Sequence, residues 1–200
     1  MICHKHKCIF IHIPRCGGTS MEISMVGKNW YSVDRSTKHL IASTAKKIYK
    51  PYWNHYFKFS FVRNPWDRMV SLKRFPNFYG INFKNNKIDM SNYFKKFPQI
   101  EVDPRSKVHN DKFHPIANAV YLNILNVDLD FIGRFENINE DFEFVCECIG
   151  ASTSLLPLKN DIRHQSQHKH YTEYYDDETR EIVAEKYAKD IEYFGYKFGE

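Results

Sequence analysis

Short apolar runs alternate with stretches of helical periodicity along this chain, which predicts an α/β fold with a parallel sheet flanked by helices. Residues 8–13 (CIFIHI) carry Cys8, Ile9, Phe10, Ile11 and Ile13, β-branched or aromatic side chains suited to a strand buried on both faces. Pro14 ends that run, and a helix follows from about Thr19 to Val26. Residues 29–34 are a second strand candidate, and Ser36 and Thr37 are placed to cap a helix over 38–49. Residues 57–62 (FKFSFV) form another buried-strand pattern. Asn64 then Pro65 is a strong helix start, N-cap followed by first turn, for a helix running to about Tyr79 and stopping at Gly80. Residues 81–112 are polar and irregular, with a short helix expected after Ser91, and read as the variable, substrate-facing part. Beyond them come a helix over 116–125, a strand over 129–133, a helix over 139–149 ending at Gly150, a polar loop over 159–170 and a charged helix over 177–189.

Length changes the picture little: 200 residues suit one domain, 1–200, with a single core. The net charge of +5 favours anionic ligands but is too mild to argue for nucleic acid. No apolar run reaches membrane-spanning length, and the opening MICHKHK does not form a signal peptide. Five cysteines, an odd count without export signals, lead us to expect reduced thiols in a cytoplasmic compartment. Cys3, His4, His6 and Cys8 fit no usual zinc spacing, and strand alternation would split them between faces. A frayed N-terminus and no metal are expected. Cys146 and Cys148 lie two apart on a helix, point different ways and read as buried thiols.

The chemistry concentrates in two places. In the first, Pro14-Arg15-Cys16-Gly17-Gly18-Thr19-Ser20 joins the strand to the helix. Glycines let backbone N–H groups turn inward, Thr19 and Ser20 add hydroxyls, and Arg15 adds a charge. A glycine turn feeding a helix N-terminus is an anion cradle. The second is FSFVRNPWDRMVSLKRF, residues 59–75. At about 100° per residue, Asp67, Arg68, Ser71 and Arg74 share one helix face, with Trp66, Met69 and Val70 opposite. Arg63 ends the strand, so it emerges at the sheet edge where ligands of open α/β sheets bind, and it can meet Ser71 over one phosphate.

These residues resemble the sulfotransferase family that uses 3′-phosphoadenosine 5′-phosphosulfate. That family holds the 5′-phosphosulfate with Pro-Lys-x-Gly-x-Thr and the 3′-phosphate with an Arg followed eight positions later by Ser, the spacing of Arg63 and Ser71. The wording RNPWDR is closest to its carbohydrate sulfotransferase branch, as are FIGRFENINEDF (131–142) and YAKDIEYFGYKF (187–198). The likeness covers about 8–198 and is poor over 81–128. It implies a three-layer fold like that of P-loop nucleoside triphosphatases. It also implies a nucleotide held by Arg15, Cys16, Gly17, Gly18, Thr19, Ser20, Arg63 and Ser71, with transfer to an acceptor hydroxyl of a saccharide and no metal. His39, where this branch commonly has a histidine, is the candidate base; His12 is also close to the loop but sits in the strand, and His114 lies in the poorly matched acceptor region. Arg163, His164, His168, Lys169 and His170 form a solvated loop in the plainest reading, though the family often draws late 3′-phosphate contacts from the end of the chain.

Arg15 departs from the family, which usually has Lys here, touching the sulfuryl group and bridging oxygen. Arg stabilises the same developing charge but gives up a proton very reluctantly. Two other functions compete. A P-loop kinase needs Gly, four residues, then Gly-Lys-Ser/Thr, whereas here the glycines are adjacent and the cation precedes them. A non-catalytic nucleotide- or polyanion-binding protein would keep the cradle without turnover.

Overall fold

Three parallel strands deliver their carboxyl ends to one edge of a sheet, and that edge carries the chemistry. The computed structural model describes residues 1–72, 82–85, 87–89, 119–152 and 169–200. Its strands are β1 (Ile2–Cys3), β2 (Cys8–Ile11), β3 (Phe57–Val62), β4 (Asn82–Lys84), β5 (Lys87–Asp89) and β6 (Phe131–Arg134). The main sheet runs β1-β2-β3-β6, with β1 antiparallel to β2 and the other pairs parallel; β4 and β5 form a separate antiparallel ribbon. Ile11 pairs with Ser60 and Val62 with Arg134, so Pro14, Arg63 and Phe135 all follow at the same edge. Ser60, a buried polar residue in β3, donates to the Ile11 carbonyl at 2.7 Å. Gly133 pairs with Phe61, and a Cβ there would lie 2.6 Å from the Phe61 ring. The missing side chain makes room for the ring.

The helices are α1 (Gly18–Val26), α2 (Ala42–Ile48), α3 (Lys50–Trp53), α4 (Pro65–Ser71), α5 (Tyr121–Ile124), α6 (Ile138–Cys148), α7 (Asp177–Lys186) and α8 (Ala188–Phe194). The central, mostly parallel sheet flanked by helices is the expected α/β class. Four expectations need correction. The N-terminus is not frayed: β1 pairs with β2, and Cys3 and Cys8 are buried cross-strand partners rather than split between faces. Residues 29–34 are not a strand but part of two 3₁₀ turns, Trp30–Ser32 and Arg35–Thr37. The Asn29 side chain accepts from the Tyr31 N–H and that of Asp34 from the Ser36 N–H, local bonds that compete with a sheet ladder. The helix expected over 38–49 starts only at Ala42, and the one over 177–189 divides at Tyr187. Residues 73–80, the segment after Ser91, His114 and most of the 159–170 loop lie outside the described residues.

Two apolar clusters hold these elements. One surrounds the sheet and includes Ile9, Phe10, Ile11, Phe59, Phe61 and Phe142; the other joins Trp66, Met69 and Val70 of α4 to Tyr171, Tyr174, Tyr175, Val183 and Tyr187. A buried side chain of this size contributes roughly 1.5–3 kcal/mol. In the second cluster Trp66 Nε1 donates to the Arg180 carbonyl at 3.0 Å and Tyr175 OH to the Trp66 carbonyl at 2.8 Å. Among the described residues, no helix is long and apolar enough to cross a membrane.

Candidate functional site

The loop after β2 is shaped by two residues in the left-handed region, Arg15 at φ 71° and Gly17 at φ 79°. Glycine takes that conformation without strain; arginine does not, so Arg15 needs outside support. Gly17 is the N-cap of α1 and no side chain caps the helix, which leaves its start presented as backbone N–H groups. A Cβ on Gly17 would meet Ile138 at 2.5 Å, and one on Gly18 would meet the His12 ring at 2.3 Å. Both glycines are thus also required by packing. Thr19 and Ser20 lie half-buried in the first turn of α1. Cys16 is buried, its thiol 3.7 Å from the Pro14 carbonyl and pushed up to about 11 by burial. Its backbone N–H donates to the Ile13 carbonyl at 3.4 Å.

Support for Arg15 comes from the second loop. Arg63 Nη1 donates to the Arg15 carbonyl at 3.2 Å, and Arg15 Nε donates to Ser71 Oγ at 3.2 Å. The expectation that Arg63 and Ser71 face each other is therefore refined: Arg15 stands between them. Arg63 also pairs with Asp67 at 2.6 Å and stacks 4.1 Å over the Phe135 ring, so the pair lies at the sheet edge with Arg63 buried and Asp67 half-buried. The polar face expected for α4 is buried as well. Arg68, fully enclosed, donates to the carbonyls of Pro14 at 3.2 Å and Ala119 at 3.0 Å and packs on Tyr121. Arg74 lies outside the described residues. Asn64 caps α4 at the Trp66 N–H, and its amide reaches the Lys197 carbonyl at 3.0 Å. The third strand contributes Glu136, which accepts from the Asn64 N–H at 2.6 Å.

His39 lies half-buried beside the first loop, its Nδ1 3.1 Å from the His12 carbonyl and its ring edge-on to the His12 ring at 4.4 Å. A carbonyl accepts only a proton donor, so Nδ1 carries the hydrogen and Nε2 is the basic nitrogen of the neutral ring. Behind it sits Glu22, fully buried, between His12 and Lys38. Burial alone would raise Glu22, yet His12 and Lys38 overcome it and hold the carboxyl at about 2. Burial lowers His12 in spite of Glu22. Sequence reasoning missed both Glu22 and Arg68. Their only signals were a carboxylate one turn into α1 and an arginine sharing a helix face with Asp67 and Ser71. Among the described residues, no group of three or more His, Cys, Asp or Glu is placed to hold a metal ion.

Residues 1–197 match the Sulfotransferase family. The chain belongs to the sulfotransferase family. It is 25% identical to carbohydrate sulfotransferase 9 of Homo sapiens over 219 aligned residues, covering 94% of this chain and 47% of that protein. Carbohydrate sulfotransferase 14 of Danio rerio is 22% identical, with 96% and 60% covered, and carbohydrate sulfotransferase 11 of Mus musculus 25% identical, with 74% and 51% covered. This sulfotransferase-family chain thus spans about half the length of the curated relatives it matches. No solved structure matches it significantly.

Proposed function

We propose that the chain transfers the sulfuryl group of 3′-phosphoadenosine 5′-phosphosulfate to a carbohydrate hydroxyl by in-line displacement. The observation that carries this reading is the joining of the two anion loops at one sheet edge, with Arg63 on the Arg15 carbonyl and Arg15 on Ser71. A nucleotide with phosphate at both the 5′ and 3′ positions suits that pair of loops. The backbone of Gly17 and Gly18, the hydroxyls of Thr19 and Ser20, and Arg15 would receive the 5′ side, and Arg63 and Ser71 the 3′ side. His39 Nε2 takes the acceptor proton as its oxygen attacks sulfur, and Arg15 meets the charge that develops on the leaving phosphate. The saccharide acceptor is supported by the printed names of the relatives.

Calorimetric titration with adenosine 3′,5′-bisphosphate and, separately, ATP tests the donor. We expect the bisphosphate to be preferred, the preference to vanish in Arg63→Ala and to weaken in Ser71→Ala. Loss of a charge-assisted hydrogen bond worth about 1.5–3 kcal/mol is a roughly 10- to 100-fold loss of affinity. Equal or tighter ATP binding rejects the donor assignment. Radiolabelled donor incubated with a panel of desulfated polysaccharides tests the acceptor. Bisphosphate binding without transfer to any of them favours the non-catalytic alternative, which Arg15 in place of Lys keeps open.

A further inference from the structure

Glu22, His12 and Lys38 are buried, yet none of them belongs to the donor set of either anion loop. Glu22 Oε1 meets His12 Nδ1 at 2.5 Å, while Oε2 accepts from Lys38 Nζ at 2.7 Å and from the Trp30 N–H at 3.0 Å. Lys38 Nζ also donates to Asn29 Oδ1. A buried ion pair of this kind is weak as a source of stability, because desolvation offsets most of the attraction. Its geometry is more informative. Lys38 and His39 are consecutive, and the chain is pinned at both: Lys38 to the side chain of α1, His39 to the backbone of the strand leading into the first loop. The His12 ring fills the space between, with one edge against Gly18 and the His39 ring edge-on to it. The next helix, α2, begins only at Ala42, so these contacts hold the segment from outside any regular element.

We propose that Glu22, His12 and Lys38 are positioning residues that hold His39 with Nδ1–H on the His12 carbonyl and Nε2 as proton acceptor. The inference rests on His39 being the base, and the experiment separates the two. It is a double-mutant cycle between the charge-removing pair Glu22→Gln/Lys38→Met and His39→Ala, assayed with radiolabelled donor and the best polysaccharide acceptor. In the otherwise wild-type chain the pair lowers kcat about 10- to 100-fold while KM for the donor stays within about threefold. In the His39→Ala background the same pair costs less than about twofold more, because its effect passes through His39. An equal loss in both backgrounds, or a loss carried by donor KM, means a merely structural role and overturns the proposal. His39→Ala with near-normal turnover rejects the base itself, and the positioning role falls with it for that separate reason. Should the pair not fold, long-range proton–nitrogen NMR of the wild-type chain decides: His39 protonated at Nδ1 is expected, and the Nε2–H tautomer overturns the proposal.

Discussion

Arg15 combines two tasks that pull on the same residue. Its backbone adopts a left-handed turn supported by the Arg63 contact to its carbonyl, and its guanidinium bridges to Ser71. A lysine would keep the charge but lose the planar fork that spans both loops. Arg15→Ala should therefore lower kcat about 10²–10³-fold, as removal of an oxyanion donor does, and Arg15→Lys should retain activity within about tenfold. A near-normal rate for Arg15→Ala in steady-state assays would remove it from the chemistry. Residue by residue, the loop chemistry was legible because glycines, a cation and hydroxyls have few other reasons to be adjacent. Glu22 was not legible, since a carboxylate on a helix is usually solvated, and only the fold brings His12 and Lys38 to it.

At the scale of elements, strands β2, β3 and β6 and helices α1 and α6 follow closely from apolar periodicity. Residues 29–40 do not. There Asn29 and Asp34 satisfy backbone N–H groups locally, and the Trp30 indole finds Thr37 at 2.9 Å, so side-chain hydrogen bonds override the apolar signal. Helix α4 shows the opposite failure. Periodicity grouped Arg68 with Asp67 and Ser71 on the face opposite the apolar residues, but the fold buries it, and it donates to the first loop's Pro14 carbonyl from inside. Arg68→Met should cost on the order of 3 kcal/mol in chemical unfolding and weaken bisphosphate binding about tenfold. Unchanged binding in a destabilised variant would confine Arg68 to the core.

Across the whole molecule, two buried carboxyls give stability opposite slopes with pH. Burial pushes Asp190 up to about 6 from an ordinary 3.8, although the N–H groups of Tyr121 and Leu122 oppose it. Between those values the folded chain holds a proton that the unfolded chain lacks, so stability rises as pH falls from about 6 to 3.8. Glu22, at about 2 against 4.5, holds one proton fewer when folded, and its contribution is lost as pH falls through that lower window. Relative to Asp190→Asn, the wild-type chain should gain thermal midpoint on acidification through the upper window, because the variant lacks this group's proton uptake. An identical slope in that variant would assign the rise elsewhere.

The bond from Asn64 to the Lys197 carbonyl joins positions 133 residues apart, and the same end of the chain closes on Tyr171 through the Gly199 N–H. Loop closure over such a span comes late, after local helices and neighbouring strands have formed. During synthesis, the first anion loop and its strands leave the ribosome long before the partner that steadies the residue beside Arg63. The contact that steadies Asn64, the residue beside Arg63, therefore forms only once residues 197–199 are in place, after much of the sheet has paired.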